Sequence, residues 1–249
     1  MRLAFRVIRE QSVGSTNDSA KQGGMQGEPE GLVVISRTQT GGRGRSGNMW
    51  SSPPGGLYMS ILLRPALRPN EVLRMSVFSC VPVGLAIEKL TGLRTGLKWP
   101  NDIEIDGRKA GGILVEGVTR GGKLDFTVVG IGINANAEPP EDEAPNAVSI
   151  GRMLGKKVDL DELADIILKE FETFYDDLKN GTLRKEFITR SSVLGRAIEV
   201  TGKDIELTGI ATDIGEDGSL LIRGEDGQVI EVLSATGISL MILGRRGSA

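Results

Sequence analysis

The run from Ile103 to Asn134 restricts this chain's fold more than any other stretch. Ile103-Glu104-Ile105 is followed by Asp106-Gly107, a strong hairpin signal. The returning strand reads Lys109-Ala110-Gly111-Gly112-Ile113-Leu114-Val115-Glu116, a second turn falls at Thr119 to Gly122, and a third strand runs from Phe126 to Asn134. Consecutive hairpin strands imply an antiparallel or mixed sheet, not a βαβ array. Glycine inside a strand weakens it, and close approach of a ligand or another backbone is the usual reason for its presence.

The flanking sequence supplies helices and a second unit. Leu3, Phe5 and Val7 alternate as in a half-buried strand. Ser15-Thr16-Asn17-Asp18 reads as a helix start with Ser15 as N-cap, in a short helix ending at Gly23-Gly24. Leu32 to Ile35 is a buried strand, and Leu57, Met59, Ile61 and Leu63 mark another. Asn70 is placed to cap a long helix from about Glu71 to Thr91, kinked at Pro82 at a cost of roughly 3 kcal/mol. Cys80 on that helix reads as a small buried apolar residue. Glu138 to Pro145 is an acidic surface loop. Leu160, Leu163, Ile167, Phe171, Phe174 and Leu178 form one face of an amphipathic helix ending at Asn180-Gly181, and a further helix spans Leu183 to Ser191. From about Leu194, short alternating runs punctuated by Glu216-Asp217-Gly218 and Glu225-Asp226-Gly227 suggest a small five-stranded barrel, its last strand including Ile238, Leu240 and Ile242. The expected fold is α+β: a mixed sheet with flanking helices over residues 1–193, then a small β-barrel over residues 194–249.

Composition removes several chemistries. The 249 residues contain no histidine, which excludes Ser-His-Asp and Cys-His catalysis and most zinc sites. One cysteine excludes an intramolecular disulfide. A net charge of −3 argues against non-specific nucleic-acid binding. Arg2, Arg6 and Arg9 interrupt any signal-peptide core, and the apolar run Met75 to Ile87 is too short and broken to span a bilayer, so the cytoplasm is the default compartment.

The remaining chemistry centres on Gly41-Gly42-Arg43-Gly44-Arg45-Ser46-Gly47-Asn48-Met49-Trp50. Its glycines allow close approach to a ligand, and its arginines suit carboxylate or phosphate. Such a loop reads as mobile when empty and closed over an anion when filled; a solvated linker is the plain alternative. Lys98-Trp99-Pro100-Asn101-Asp102 and Lys109 to Glu116 come onto adjacent strands through the Asp106-Gly107 turn, with Arg43 and Arg45 within reach. A cationic cluster of this kind can stabilise the negative charge of phosphoryl or adenylyl transfer. Asp102 could hold magnesium or act as a base toward an amine. Taken singly, each lysine also reads as a solvated strand residue, Asp102 as a turn carboxylate, Ser15 and Thr16 as plain caps and Gln39 as a surface amide.

Four of these motifs, in this order, resemble the biotin–protein ligases over nearly the whole chain: the glycine-arginine loop ending in Trp50, Lys98 to Asp102, Lys109 to Glu116, and Gly130-Ile131-Gly132-Ile133-Asn134. The resemblance implies an α/β catalytic domain followed by an SH3-like barrel, with ATP-Mg2+ and biotin as reactants. Biotinyl-5′-AMP forms first, and biotin then passes to a lysine of a biotin carboxyl carrier protein. It implies biotin contacts from Ser15, Thr16, Asn17, Gln39, Gly42, Arg43, Gly44, Arg45, Lys109, Gly111 and Gly112. Nucleotide contacts fall to Arg45, Trp50, Lys98, Asn101, Lys109 and Asn134, and catalytic roles to Lys109, Arg43 and Asp102. The magnesium ligands are unknown. Asn48 and Met49 are neutral where the family often carries a basic residue. Some relatives bear an N-terminal winged helix and repress transcription; here the catalytic pattern starts in the first strand, so no DNA partner is expected, and the short, broken apolar runs leave no membrane partner expected. Relatives lacking that module are often dimers. The rival enzyme reading is a lipoate or octanoate ligase or transferase, which would lack this loop and the barrel. An RNA-binding Arg-Gly protein is the non-enzyme rival, disfavoured by net acidity.

Overall fold

The computed structural model describes residues 3–140, 142, 144–202 and 205–241. In chain order the elements are β1 (Arg6–Glu10), α1 (Thr16–Met25), β2 (Leu32–Ser36), β3 (Leu57–Leu63), α2 (Val72–Phe78), α3 (Cys80–Thr91), β4 (Gly96–Lys98), β5 (Asp102–Ile105), β6 (Arg108–Arg120), β7 (Lys123–Ile133), α4 (Ile150–Leu154), α5 (Leu160–Asn180), α6 (Arg184–Arg190), β8 (Ala197–Gly202), β9 (Ile205–Ile214), β10 (Leu220–Arg223), β11 (Val229–Val232) and β12 (Gly237–Leu240). The first seven strands form one mixed sheet in the order β1-β2-β3-β7-β6-β5-β4. β1 and β2 run parallel across α1, so one βαβ unit precedes the antiparallel hairpins. The hairpin between β5 and β6 turns on Asp106 and Gly107, both at positive φ (50° and 71°), as a primed turn requires.

Period-two alternation divides the strands between two faces. Val33, Met59, Ile61, Leu63, Val129 and Ile131 face the main core with α2, α3 and α5. Leu32, Val34, Leu62, Phe126 and Val128 face α1 and Ala20 in a smaller cluster. α1 does not stop at Gly23-Gly24 but runs through them to Met25. Both glycines are buried, and a Cβ on Gly24 would lie 2.7 Å from Phe126, so they let the helix sit close to the sheet.

The long helix after Pro69 differs from expectation in two places. Asn70 lies inside a 3-10 turn, and Glu71 caps it by accepting from the Arg68 amide at 2.7 Å. The helix breaks at Ser79, upstream of Pro82. Pro82 has no N–H for the carbonyl four residues earlier, so the disruption falls in the preceding turn, and Pro82 stands in the first turn of α3 where no such bond is needed. The Pro69–Thr91 stretch is long and apolar enough to cross a membrane, yet it is mostly buried inside the protein as a core element. Burial pushes the Cys80 thiol up, in keeping with a packing role.

The second unit is a five-stranded antiparallel sheet in the order β11-β10-β9-β8-β12. It is not closed into a barrel: among the described residues β11 and β12 remain its two edges. Ile242, expected in the last strand, lies outside the described residues. The core of this sheet is continuous with the main one through Ile198, Val200, Ile214 and Leu220. Trp99, 1% exposed, donates its indole N–H to Gly218 O at 2.7 Å across the junction, and Arg184 pairs with Asp213 at 2.6 Å. Replacing Trp99 by Phe should lower the unfolding free energy by about 2–4 kcal/mol in urea titrations, through lost volume and an orphaned carbonyl. A loss below about 0.5 kcal/mol, within the usual surface range, would show that this contact does not join the two sheets.

Candidate active site

The α1 face of the large sheet changes character along β7. Phe126 and Val128 lie beneath α1, whereas Gly130 and Gly132 follow on the same face. Cross-strand neighbours continue the change: Gly132 pairs with Gly112 and Tyr58, and Gly130 with Leu114 and Ser60. The result is a trough, and side chains of this chain lie in it. A Cβ on Gly132 would come within 2.6 Å of the Trp50 ring, and one on Gly112 within 3.3 Å. A Cβ on Gly130 would meet Asn17 Oδ1 at 2.1 Å.

Trp50 stands between two cavities, of about 280 and 750 Å3. Lys98, Asp102 and Lys109 line both. Of the expected residues, Ser15, Thr16, Asn17 and Gln39 line the smaller cavity, as do Arg43, Gly44, Arg45, Asn101 and Gly112. Asn134 lines the larger one. Gly42 and Gly111 line neither: a Cβ on Gly42 would meet Trp50 O at 2.5 Å, so it seats the end of the loop, and a Cβ on Gly111 would lie 3.1 Å from Gly132 O. Asn101 is engaged with the backbone, donating to Ile113 O at 2.7 Å. The C-terminal unit contributes Thr236, just before β12, and Ile238 to the smaller cavity.

A polar network runs through the small cavity. Ser15 occupies the N-cap position of α1 with extended backbone, but its side chain makes no cap hydrogen bond. Thr16 N donates to Gln39 Oε1 at 2.8 Å, and Gln39 Nε2 donates to Ser52 Oγ at 2.9 Å. Ser52 in turn donates to Trp50 O at 3.0 Å. Ser60 Oγ lies 2.8 Å from Thr16 Oγ1 and 2.6 Å from Asn17 Oδ1. Ser60 and Ser52 were missed by sequence reasoning; a hydroxyl within the buried run Leu57–Leu63 was the available signal for the first.

The loop folds as a small hairpin. Gly44 N donates to Asn48 O at 2.8 Å, Trp50 N donates to Gly42 O at 3.0 Å, and Arg45–Gly47 makes the turn. Internal backbone bonds therefore hold its shape, beyond what ligand contacts alone would supply. The two arginines diverge. Arg43 is paired with Asp18 at 2.6 Å and lies 3.7 Å from Glu116. Arg45 is half-buried and its side chain makes no hydrogen bond or ion pair among the described residues; burial holds its guanidinium below the ordinary value, partly offset by Asp102.

At the junction of the cavities, Lys109 Nζ lies 2.6 Å from Asp102 Oδ1, an ion pair whose angle falls short of hydrogen-bond geometry. The same ammonium stands 5.4 Å from the centre of the Trp50 ring. Lys98 lies 4.0 Å from Glu104, a buried carboxylate raised above its ordinary range by burial. The Trp50 indole N–H is buried and has no hydrogen-bond partner among the described residues. Two apposed cavities joined by cations suit two substrates that react across an anionic centre.

The family model described as biotin/lipoate A/B protein ligase matches residues 10–134, and that of the biotin protein ligase C terminal domain matches residues 193–241. The chain belongs to the biotin/lipoate A/B protein ligase family. It is 32% identical over 232 residues to the bifunctional ligase/repressor of Bacillus subtilis (strain 168), covering 90% of this chain and 71% of that protein. It is 30% identical over 206 residues to the biotin–[acetyl-CoA-carboxylase] ligase of Paracoccus denitrificans, covering 79% and 86% of the two chains. Its fold matches the biotin protein ligase from Aquifex aeolicus, solved in complex with biotin and ATP, with a TM-score of 0.77 at 29% identity over 95% of this chain and 98% of that one.

In this member of the ligase family, Gly132→Ala should drive Trp50 off the trough floor. The expected result is a red shift of tryptophan emission from Trp50, with Trp99 unaffected, and a loss of about 1–3 kcal/mol of stability if the indole is forced to stay. Unchanged emission and stability would mean that the indole does not rest there.

Proposed function

We propose that the chain joins biotin to ATP as biotinyl-5′-AMP and transfers biotin to a lysine of a biotin carboxyl carrier protein. The observation that carries this reading is the pair of cavities meeting at Lys109, in a chain that also matches the biotin-ligase C-terminal domain. That second match favours biotin over lipoate as the acid. We assign residues 1–193 to catalysis and 194–249 to the C-terminal domain.

In the first step a biotin carboxylate oxygen attacks the α-phosphorus, and the bond to the bridging oxygen of pyrophosphate breaks. Two anions must meet, so fixed cations lower the barrier at no reorganisation cost. Lys109 is assigned to the carboxylate and α-phosphate, and Arg45, the loop arginine without a partner, to the spreading charge. Ser15, Thr16, Asn17 and Gln39 are assigned to the polar biotin ring, Trp50 and Asn134 to adenine, and Lys98 to the phosphates. In the second step a neutral carrier amine attacks the acyl carbon, AMP departs with the electrons of the acyl–oxygen bond, and Asp102 is assigned the amine's proton. The loop over the trough keeps water from the mixed anhydride. Magnesium would enter with the ATP phosphates and neutralise part of their charge; among the described residues there is no cluster of three His, Cys, Asp or Glu side chains.

Biotin-dependent exchange of pyrophosphate into ATP tests the reading. Lys109→Ala should reduce exchange by about 10²–10³-fold, the range for removing one charge-stabilising donor, with little change in melting temperature. Exchange that responds to lipoate and ignores biotin would overturn the substrate. Parallel loss of melting temperature and exchange would make Lys109 a structural residue.

A further inference from the structure

The two loop arginines sit in opposite electrostatic settings. Arg43 donates from Nη1 and Nη2 to both oxygens of Asp18, at 2.8 and 2.6 Å, a fork on a carboxylate. Glu116 Oε2 lies 3.7 Å from the same guanidinium and accepts from Asn17 Nδ2 at 2.7 Å, which fixes it at the rim. Lys21 stands 4.0 Å from its other oxygen. Asp18 lies in the first turn of α1, where the helix dipole favours negative charge, and the Arg43 hydrogen bond holds its carboxyl below the ordinary range. One guanidinium between two carboxylates presents no net positive charge to an incoming phosphate. Arg45 has neither of these neighbours.

We propose that Asp18 is a positioning residue: it latches Arg43 to α1, which keeps the loop folded over the trough and leaves Arg45 as the loop cation that faces the reacting anions. What lies beneath the loop rests on the ligase reading; the latch does not. The loop is then tied at both ends, by Arg43 to Asp18 at its start and by Ser52 to Gln39 just past Trp50. Both ties originate at α1 and its contact Gln39, so groups placed against biotin also hold the loop. Arg43 is 40% and Asp18 57% exposed, so water screens the pair. Such a latch biases the loop toward closure and still permits it to open for substrate entry and product release.

The test compares the full-length wild type with Asp18→Asn, Asp18→Glu and Arg43→Lys. Thermolysin cleavage at Asn48–Met49 reads loop opening without any ligand, because the bonds from Gly44 N to Asn48 O and from Trp50 N to Gly42 O must be released before this segment can enter a protease cleft. Pyrophosphate exchange reads KM for biotin and kcat, and hydroxylamine trapping reads escape of biotinyl-AMP. Asp18→Asn should cleave about 3- to 10-fold faster, the range for a partly exposed bidentate pair, with KM for biotin and adenylate escape rising by a similar factor. The kcat should stay within about twofold, because the reacting cations are untouched. Asp18→Glu should restore most of the closure, and Arg43→Lys, which loses the fork, should be cleaved about as fast as Asp18→Asn. Cleavage and KM equal to wild type in Asp18→Asn would overturn the latch. A collapse of kcat at unchanged KM would do the same by giving Asp18 a chemical role. Wild-type protein without biotin-dependent exchange would refute the ligase reading and leave the cleavage result to decide the latch.

Discussion

An indole can lie flat on a β-sheet only where the strands beneath it carry no Cβ. Gly132 and Gly112, paired across β7 and β6, provide that place, and Trp50 occupies it. The rest of the site follows from the seating of this ring. Its carbonyl takes the Ser52 hydroxyl, Ser52 takes Gln39, and Gln39 takes the amide of Thr16 at the start of α1. Its face meets Lys109, which is thereby set between the two cavities.

Without histidine, reactivity rests on fixed charge and exclusion of water. The cations differ in how they are held. Lys109 is paired with Asp102, Arg43 with Asp18, and Lys98 lies near buried Glu104. Arg45 is partly desolvated, with Asp102 as a distant offset but no ion pair among the described residues, and an anion brought beneath the loop would relieve that cost. The C-terminal sheet is built into the same body: Trp99, one residue from Lys98, bonds to Gly218, and Thr236 reaches the small cavity.

Local signals survived into the structure wherever they were self-sufficient. Asp106-Gly107 needs positive φ at both residues and turns as read; the apolar stripe from Leu160 to Leu178 specifies α5 regardless of its neighbours. The misreadings depend on distant partners. Gly23-Gly24 looked like a helix end but serves contact with Leu32, Leu62 and Phe126. The strand glycines were expected to admit a ligand or another backbone, and Gly112 and Gly132 admit Trp50 from a loop more than sixty residues earlier. The barrel was inferred from strand count and turn spacing, neither of which determines whether edges pair. Most of the residues expected at the site through a family resemblance carried by four ordered motifs line the two cavities. Asp18 and Glu116 were not read as partners of Arg43, because only the fold brings the loop, α1 and β6 together.

Native mass spectrometry of the protein after incubation with biotin and ATP-Mg2+ tests the central claim most directly. A retained, non-covalent ligand with the mass of biotinyl-AMP is expected, lost when Lys109 is replaced by Ala. Protein of unchanged mass after incubation, with biotin and ATP recovered unreacted, would contradict the account.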